Sequence, residues 1–383
     1  MLNVLLLADL HLGAKLPVAA SDKHGLQAKR DSFFHRLADF FTHQHQPPHL
    51  VLIAGDVFDT HCPDDSLWQN TIDGLKHLQN LGMKIITVPG YHDDLTHPDS
   101  VLSKRERHWP GLLVTQTNLG DPLPLVIGQD RVFLASQTFD GTLDNPRIAK
   151  LPPRQREGYY LALLHGTILP QPAARCLQLD SYALLECGYD LIALGSEHSF
   201  HEQRNRDDTS VLVYPGLIEA LGFDQPGTEQ LTLVTLQHNN PPQLQRLSFT
   251  TGVPFFTLVC SCKGWSRPEK LLSHLETYAA PNQCVHIILH GTLAHRPHRL
   301  LQTVQHLFAS CTVNWDNLQP DPKWLGRLAA ETTLSGSIAR SYLLAQREAK
   351  HKPQTLNSAF WHALCAAEDH EGASSCVEYI GKN

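Results

Sequence analysis

LNVLLLADLHLG, Leu2 to Gly13, is the stretch on which the fold turns. Its first seven residues are apolar except Asn3. A run this short and this rich in Leu and Val reads as a strand buried on both faces. It stops at Asp9, and His11 follows two residues later. Working outward, the same design recurs. LVLIA (50–54) runs into GDVFD, which holds Gly55, Asp56 and Asp59. IITVP (85–89) runs into GYHDD, with His92 and Asp93. YLALL (160–164) ends at His165, and LIAL (191–194) at GSEHSFH, with Glu197, His198 and His201. In an open α/β sheet, ligands bind beyond the carboxyl ends of the strands. Five strands that each end in carboxylate or imidazole therefore predict one shared site.

Between these runs the pattern is helical. In KRDSFFHRLADFF, Phe33, Leu37, Phe40 and Phe41 recur at helical spacing and form one apolar face, read as core. DSLWQNTIDGLKHLQNLG (65–82) reads as a second helix closed by Gly82. Further apolar runs, VFLAS (132–136), VLVY (211–214) and LTLVTL (231–236), complete a strand–helix alternation and hence a layered α/β core. A boundary is expected near 238–252. Beyond it come strand 255–261, helix 268–279, strand 285–291, helix 298–309 and strand 311–315, a small α/β unit. Two or three helices follow. The expected domains are a core over 1–245, a small α/β cap over 254–320, a helical segment over 321–370 and a frayed tail over 371–383.

Composition narrows the class. With 383 residues, 42% hydrophobic and 18% charged, the chain reads as a soluble globular protein. Nine scattered cysteines without a CxxC pair favour a reducing compartment over a disulfide frame or a zinc knuckle. No run approaches the roughly 20 apolar residues of a membrane span, and the start lacks a basic leader, so a cytoplasmic location is expected. Net charge is −7, unevenly spread. Residues 251–383 hold 12 Lys and Arg against 10 Asp and Glu, leaving 19 against 28 in the first 250. An acidic catalytic part suits bound cations. No GxxxxGK[ST] loop is present, so any ATP hydrolysis belongs to a partner.

The residue types at the strand ends specify the chemistry. Carboxylate and imidazole suit manganese, iron or zinc, and thiolate is absent from all five ends. Two ions about 3.5–4 Å apart can clamp the attacking and leaving oxygens of a phosphoester displacement. Asp9 and His11, two residues apart, share one side of an extended segment and can share an ion. A histidine outside the ligand set can protonate the leaving oxygen.

The ordered set Asp9-Leu10-His11, Gly55-Asp56, Gly90-Tyr91-His92-Asp93, His165 and Gly195-Ser196-Glu197-His198 resembles the calcineurin-like metallophosphoesterase superfamily over roughly residues 1–240. The GDVFD form and the domain order look most like the SbcD-type DNA-repair nucleases. The resemblance implies a layered core of mixed sheets flanked by helices, a small capping domain and C-terminal helices that dock on an SMC-like ATPase of the SbcC type. It implies a metal-dependent DNA nuclease, with Mn²⁺ first and Mg²⁺, Fe or Zn²⁺ as alternatives, acting as a homodimer on DNA and without a membrane partner. Carried over by residue, the first ion falls to Asp9, His11, Asp56 and His198. The second falls to Asp56 and His165, with two departures. Tyr91 stands where the family has Asn, and Ser196 where it has the first His of G-H-x-H. His92 matches the catalytic histidine, with Asp93 as its orienting partner.

Tyr91 leaves three readings open. The second ion is lost and the chain is an inert DNA-binding or assembly scaffold. Alternatively the site is rewired through Glu197, Asp94, His97 or His201. In the third, one ion suffices and the substrate recruits another. A phosphodiesterase for nucleotides is the remaining rival.

Overall fold

The computed structural model describes residues 1–18, 23–43, 45–138, 151–168, 177–262, 268–295, 304, 306–348 and 352–378. It divides into two units. One comprises Met1–Leu16 with His24–Val253, the other Pro254–Asn383 with Pro17–Lys23.

The first unit begins with β1 (Leu2–Leu7), α1 (Lys23–Asp31), α2 (Phe33–His43), β2 (Leu50–Ala54), α3 (Asp65–Asn80) and β3 (Lys84–Val88). There follow α4 (Val101–Lys104), β4 (Leu112–Leu113), β5 (Leu123–Ile127), β6 (Asp130–Ser136), β7 (Tyr159–His165), β8 (Thr167–Ile168) and β9 (Gln178–Leu179). It ends with α5 (Ser181–Leu185), β10 (Leu191–Gly195), β11 (His201–Arg204), β12 (Val211–Tyr214), β13 (Gln230–Leu236) and β14 (Gln243–Ser248). Among the described residues these strands build two six-stranded mixed sheets, ordered β14-β13-β1-β2-β3-β4 and β11-β12-β10-β7-β6-β5. β1 to β4 run parallel, as do β6, β7, β10 and β12; β13 joins β1 antiparallel and carries β14 at the edge, and β11 and β5 are antiparallel edges of the second sheet.

Side-chain alternation explains the layers. Val4, Leu6, Leu50 and Leu52 point from the first sheet toward Leu161, Leu163, Leu191 and Val213 of the second, forming the inter-sheet core. Leu5, Leu7, Val51 and Ile53 face the other way. They pack under Phe33, Phe34, Leu37 and Phe41 of α2 and Leu75 and Leu78 of α3, so the aromatic stripe is core. Tyr160, Ala162, Leu164 and Ile192 cover the outer side of the second sheet with Leu184 and Leu185 of α5. Strands buried on both faces need apolar residues at every position, which is why the runs are continuous.

The stretch 238–252, where a boundary is expected, holds β14, and the first unit runs on to Val253. The hairpin of β14 with β13 turns at Asn239, whose φ of 61° suits Asn. In the second unit, β15 (Phe255–Ser261), β16 (Ala280–Leu293) and β17 (Phe308–Pro320) form a parallel sheet, with α6 (Pro268–Glu276) between the first two. The helix expected over 298–309 falls mostly outside the described residues, and β17 already begins at Phe308. Three helices follow: α7 (Pro322–Ala329), α8 (Leu334–Glu348) and α9 (Pro353–Glu378). Leu325, Tyr342, Phe360 and Trp361 pack with Leu289 and Leu318 of the sheet. The polar tail expected from 371 is helical to Glu378; 379–383 lie outside the described residues. No helix among the described residues is long and apolar enough to cross a membrane.

Candidate metal centre

β1, β2, β3, β7 and β10 bring their carboxyl ends together. Backbone bonds lock the first two loops: Asp9 N donates to Gly55 O (3.1 Å), His11 N to Asp56 O (2.9 Å) and Leu12 N to Val57 O (2.8 Å). The price is conformational. Asp9 (φ 53°), His11 (φ 44°), Asp56 (φ 52°) and Ser196 (φ 100°) all occupy the left-handed region. Non-glycine residues persist there at a cost of order 1–3 kcal/mol each, and they cluster at functional sites. Asp9 and His11 therefore do not lie on an extended segment, as their spacing had implied. The left-handed turn aims both inward by another route. A Cβ on Gly90 would lie 2.5 Å from Asp56 N and closer still to Asp56 Oδ1, so only glycine permits this approach.

Among the described residues, three groups of side chains have ligand atoms within 4.8 Å of one another: Asp9, His11 and His198; His11, Asp56 and His92; Asp9, Asp56 and His165. Asp9, His11, Asp56 and His165 are buried. His165 Nδ1 donates to Ala54 O (2.7 Å) and His11 Nδ1 to Asp59 Oδ1 (3.2 Å). Those bonds leave each Nε2 with its lone pair free. Both Nε2 atoms are buried and have no hydrogen-bond partner among the described residues. Both face Asp56 Oδ2, at 3.8 Å from His11 and 3.5 Å from His165. Two imidazole acceptors and a carboxylate oxygen, too far apart to bond one another, are complementary to a cation between them. The donor set thus fits divalent ions.

A family model described as calcineurin-like phosphoesterase matches residues 2–213. The chain belongs to the calcineurin-like phosphoesterase family. Its members carry out metal-dependent phosphoester hydrolysis. Two solved structures are similar. TT1561 of Thermus thermophilus is 11% identical, covering 64% of this chain and 98% of its own at a TM-score of 0.36. Another is 10% identical, covering 64% of this chain and 99% of its own at 0.35. No curated protein sequence matched.

Within this family site, His92 lies at the rim, its side chain 48% exposed. Its Nδ1 donates to Asp59 O (2.9 Å), and Asp59 Oδ1 is 3.8 Å away. Its backbone N donates to Asp56 Oδ1 (2.8 Å), and its ring centroid is 4.7 Å from that of His11. Asp93 does not orient this ring. Its Oδ2 accepts from Val57 N (2.7 Å) and Phe58 N (3.3 Å), and its Oδ1 from Gly90 N (2.7 Å), so it staples the two loops together. Asp59 is the shared partner of His11 and His92. Its position inside GDVFD was visible in the sequence, but its reach to both rings was not.

Electrostatics follow from burial. Asp9 is held well above the usual carboxylate range by desolvation, then by the charge of Asp56. Desolvation and Asp56 push Asp93 up to about 7, against the pull of its three amides. Burial lowers His165 and His198, favouring the neutral, ligating form. Burial also pulls His92 down, but the Asp59 carbonyl and the charges of Asp56 and Asp59 outweigh it and leave its pKa raised.

The departures from the family pattern are explicit. The Tyr91 hydroxyl accepts from Leu177 N (2.8 Å) and lies 3.5 Å from His165 O, while its ring meets the His165 ring edge-on at 4.5 Å. Ser196 N donates to both Asp9 oxygens (3.0 and 3.1 Å), and its Oγ pairs with Thr167 Oγ1 (3.2 Å). Among the described residues, Glu197, Asp94, His97 and His201 do not join the ligand groups. Asp94 Oδ1 accepts from Thr96 N and His97 N, His97 stacks on His61 at 4.0 Å, and His201 is exposed on β11. Glu197 reaches the site through its charge, which helps to raise Asp9.

Sequence reasoning missed Arg30. This side chain is 2% exposed and points under the first loop. Nη1 donates to His11 O (2.6 Å), Nη2 to Leu10 O (2.7 Å) and Nε to Ala220 O (3.3 Å). A basic residue on a predicted helix gave no sign of burial.

Proposed function

We propose that the chain is a Mn²⁺-dependent phosphodiesterase acting on DNA, in the cytoplasm, within a repair or defence complex that includes an SMC-like ATPase of the SbcC type. The observation that carries the catalytic part is the convergence of the unpartnered Nε2 atoms of His11 and His165 on Asp56 Oδ2. Asp9, His11, His198 and Asp56 would hold one ion, and Asp56 and His165, with Asp9 nearby, a second. Divalent ions held there supply positive charge to the attacking and leaving oxygens of the ester. His92 does the protein's own chemistry. Its Nδ1 is fixed by Asp59, so Nε2 is free to give a proton to the leaving oxygen. The Asp59 carbonyl and the carboxylates of Asp56 and Asp59 raise its pKa, which favours the protonated ring. DNA as substrate, and a partner ATPase, are supported by the second α/β unit and its three helices, which a small ester does not require. Nine cysteines without a disulfide pattern support a reducing compartment.

One observation favours a second reading. The Tyr91 hydroxyl is taken up by the Leu177 amide and the Ser196 hydroxyl by Thr167, which suits a site that has lost its second ion and serves as a scaffold. The two readings separate in one experiment. Circular single-stranded DNA is incubated with the full chain and Mn²⁺ beside an Asp56→Ala control, with bound metal measured on both. Cleavage by the wild type alone, with metal lost from the variant, supports the enzyme. Metal retained after Asp56→Ala sinks the site, and metal without cleavage supports the scaffold.

A further inference from the structure

A groove of about 590 Å³ lies between α3 and the turn after α4, away from the metal ligands. Lys76 and the buried Trp68 line it from α3, and Arg105, Arg107 and His108 from the turn, with Asp65 at one end. We propose that this groove is a track for the phosphodiester backbone of a nucleic-acid strand. The proposal rests on the DNA reading above and extends it to a second contact surface.

Charge is the first argument. Three permanent cations and an imidazole line the groove with one carboxylate, Asp65, while Asp73 lies 3.9 Å from Lys76, on a chain whose net charge is −7. Arg107 and His108 are exposed and have no carboxylate partner among the described residues. Arg105 is preset: its guanidinium lies 5.6 Å from the Trp68 ring centroid and pairs with Asp65. Such a cation loses little freedom when a phosphate arrives. Length is the second argument. From Asp65 to Lys76 the helix rises about 16 Å at 1.5 Å per residue, close to five duplex steps of 3.4 Å. Trp68 and Ile72, only 4% and 3% exposed, form the floor, and the Trp68 ring backs the Arg105 guanidinium. The groove is also tied to the site's own loops. Val101 N, at the start of α4, donates to His61 O (2.8 Å), two residues beyond Asp59.

The test pairs Lys76→Gln with Arg107→Gln, both exposed and outside the catalytic set, in the full chain. Binding of a labelled duplex is followed by anisotropy in EDTA across a salt series. Hydrolysis of bis(p-nitrophenyl) phosphate with Mn²⁺ is measured in parallel. The expected result is a slope of log K against log salt reduced by about 1.8, at roughly 0.9 per lost phosphate contact, with hydrolysis of the small ester unchanged. Wild-type DNA binding with an unaltered slope in the double variant overturns the groove and leaves the DNA reading standing. Absence of wild-type DNA binding removes both. Polyglutamate displacing the duplex at equal charge concentration also overturns the proposal, because it assigns the groove to acidic chains.

Discussion

Replacing Arg30 by Met tests whether the first ligand loop is held from below. Met keeps most of the side-chain volume and deletes only the donors. The His11 carbonyl retains the Ala14 amide at 3.0 Å, but the Leu10 and Ala220 carbonyls lose the guanidinium. Hydrogen bonds from a charged donor contribute roughly 1.5–3 kcal/mol, and a buried acceptor left without a donor costs about 1–3 kcal/mol. Removing a buried cation returns part of this, because its own desolvation is no longer required. A net loss of about 3–5 kcal/mol follows from these ranges. At roughly 2–4 °C per kcal/mol for a domain of this size, the melting temperature should fall by about 6–20 °C. The loop also carries Asp9 and His11, so Mn²⁺ affinity should fall by about 10–100-fold, the usual range when a ligand's support is removed. Thermal unfolding in EDTA and calorimetric Mn²⁺ titration well below the transition measure the two effects separately. Arg30→Lys should recover only part of either, since one ammonium cannot span three carbonyls. An Arg30→Met protein that melts within about 2 °C of wild type and binds Mn²⁺ equally well would refute the reasoning.

Three further outcomes are expected. Tyr91→Phe should leave metal content and activity unchanged while costing about 1 kcal/mol through the Leu177 amide, so metal loss measured by mass spectrometry would restore the phenol as a ligand. Asp59→Asn removes the charge beside His11 and His92, and the turnover rate should fall by about 10–100-fold. Because that charge raises the His92 pKa and the acid form is the active one, the alkaline limb of the rate profile should move to lower pH; an unmoved limb counts against proton donation by His92. In metal-free protein, Asp9 and Asp93 bind protons more tightly folded than unfolded, with Asp93 at about 7. Their contribution to stability therefore falls as pH rises from about 4 to 7, while the lowered His165 and His198 contribute a rise, so in metal-free protein the melting temperature of Asp93→Asn should climb relative to wild type across that window; a constant difference contradicts it.

The strands of the core were legible because burial on both faces forces a continuous apolar run, and LNVLLLA and LVLIA can be little else. β4, β8 and β9 were not, since two residues carry no period. β14 was hidden in QLQRLS, a polar edge whose alternation resembles loop composition. The ligand histidines and aspartates were legible by type and order. Their relations were not, because side-chain direction depends on backbone angles that sequence spacing does not encode. Asp93 illustrates this. Adjacent to His92 in the chain, it turns to three backbone amides, and Asp59, far earlier in the sequence, takes the imidazole.

The same point accounts for Tyr91. A residue read against a family pattern is judged by what it lacks, and a phenol lacks an easily supplied ligand. In the fold it has its own work: its hydroxyl closes the Leu177 amide and its ring edge supports His165. His165 in turn donates Nδ1 to Ala54 O and keeps Nε2 open beside Asp56. Tyr91 thus helps to orient the retained ligand on that side. Loss of a direct ligand and retention of the His165 geometry are compatible, so whether the second ion binds turns on the oxygens of Asp56 and Asp9. Both carboxylates are already shared with the groups that hold His11. A first ion should therefore bind more tightly than a second, and a Mn²⁺ titration should resolve two unequal steps rather than one.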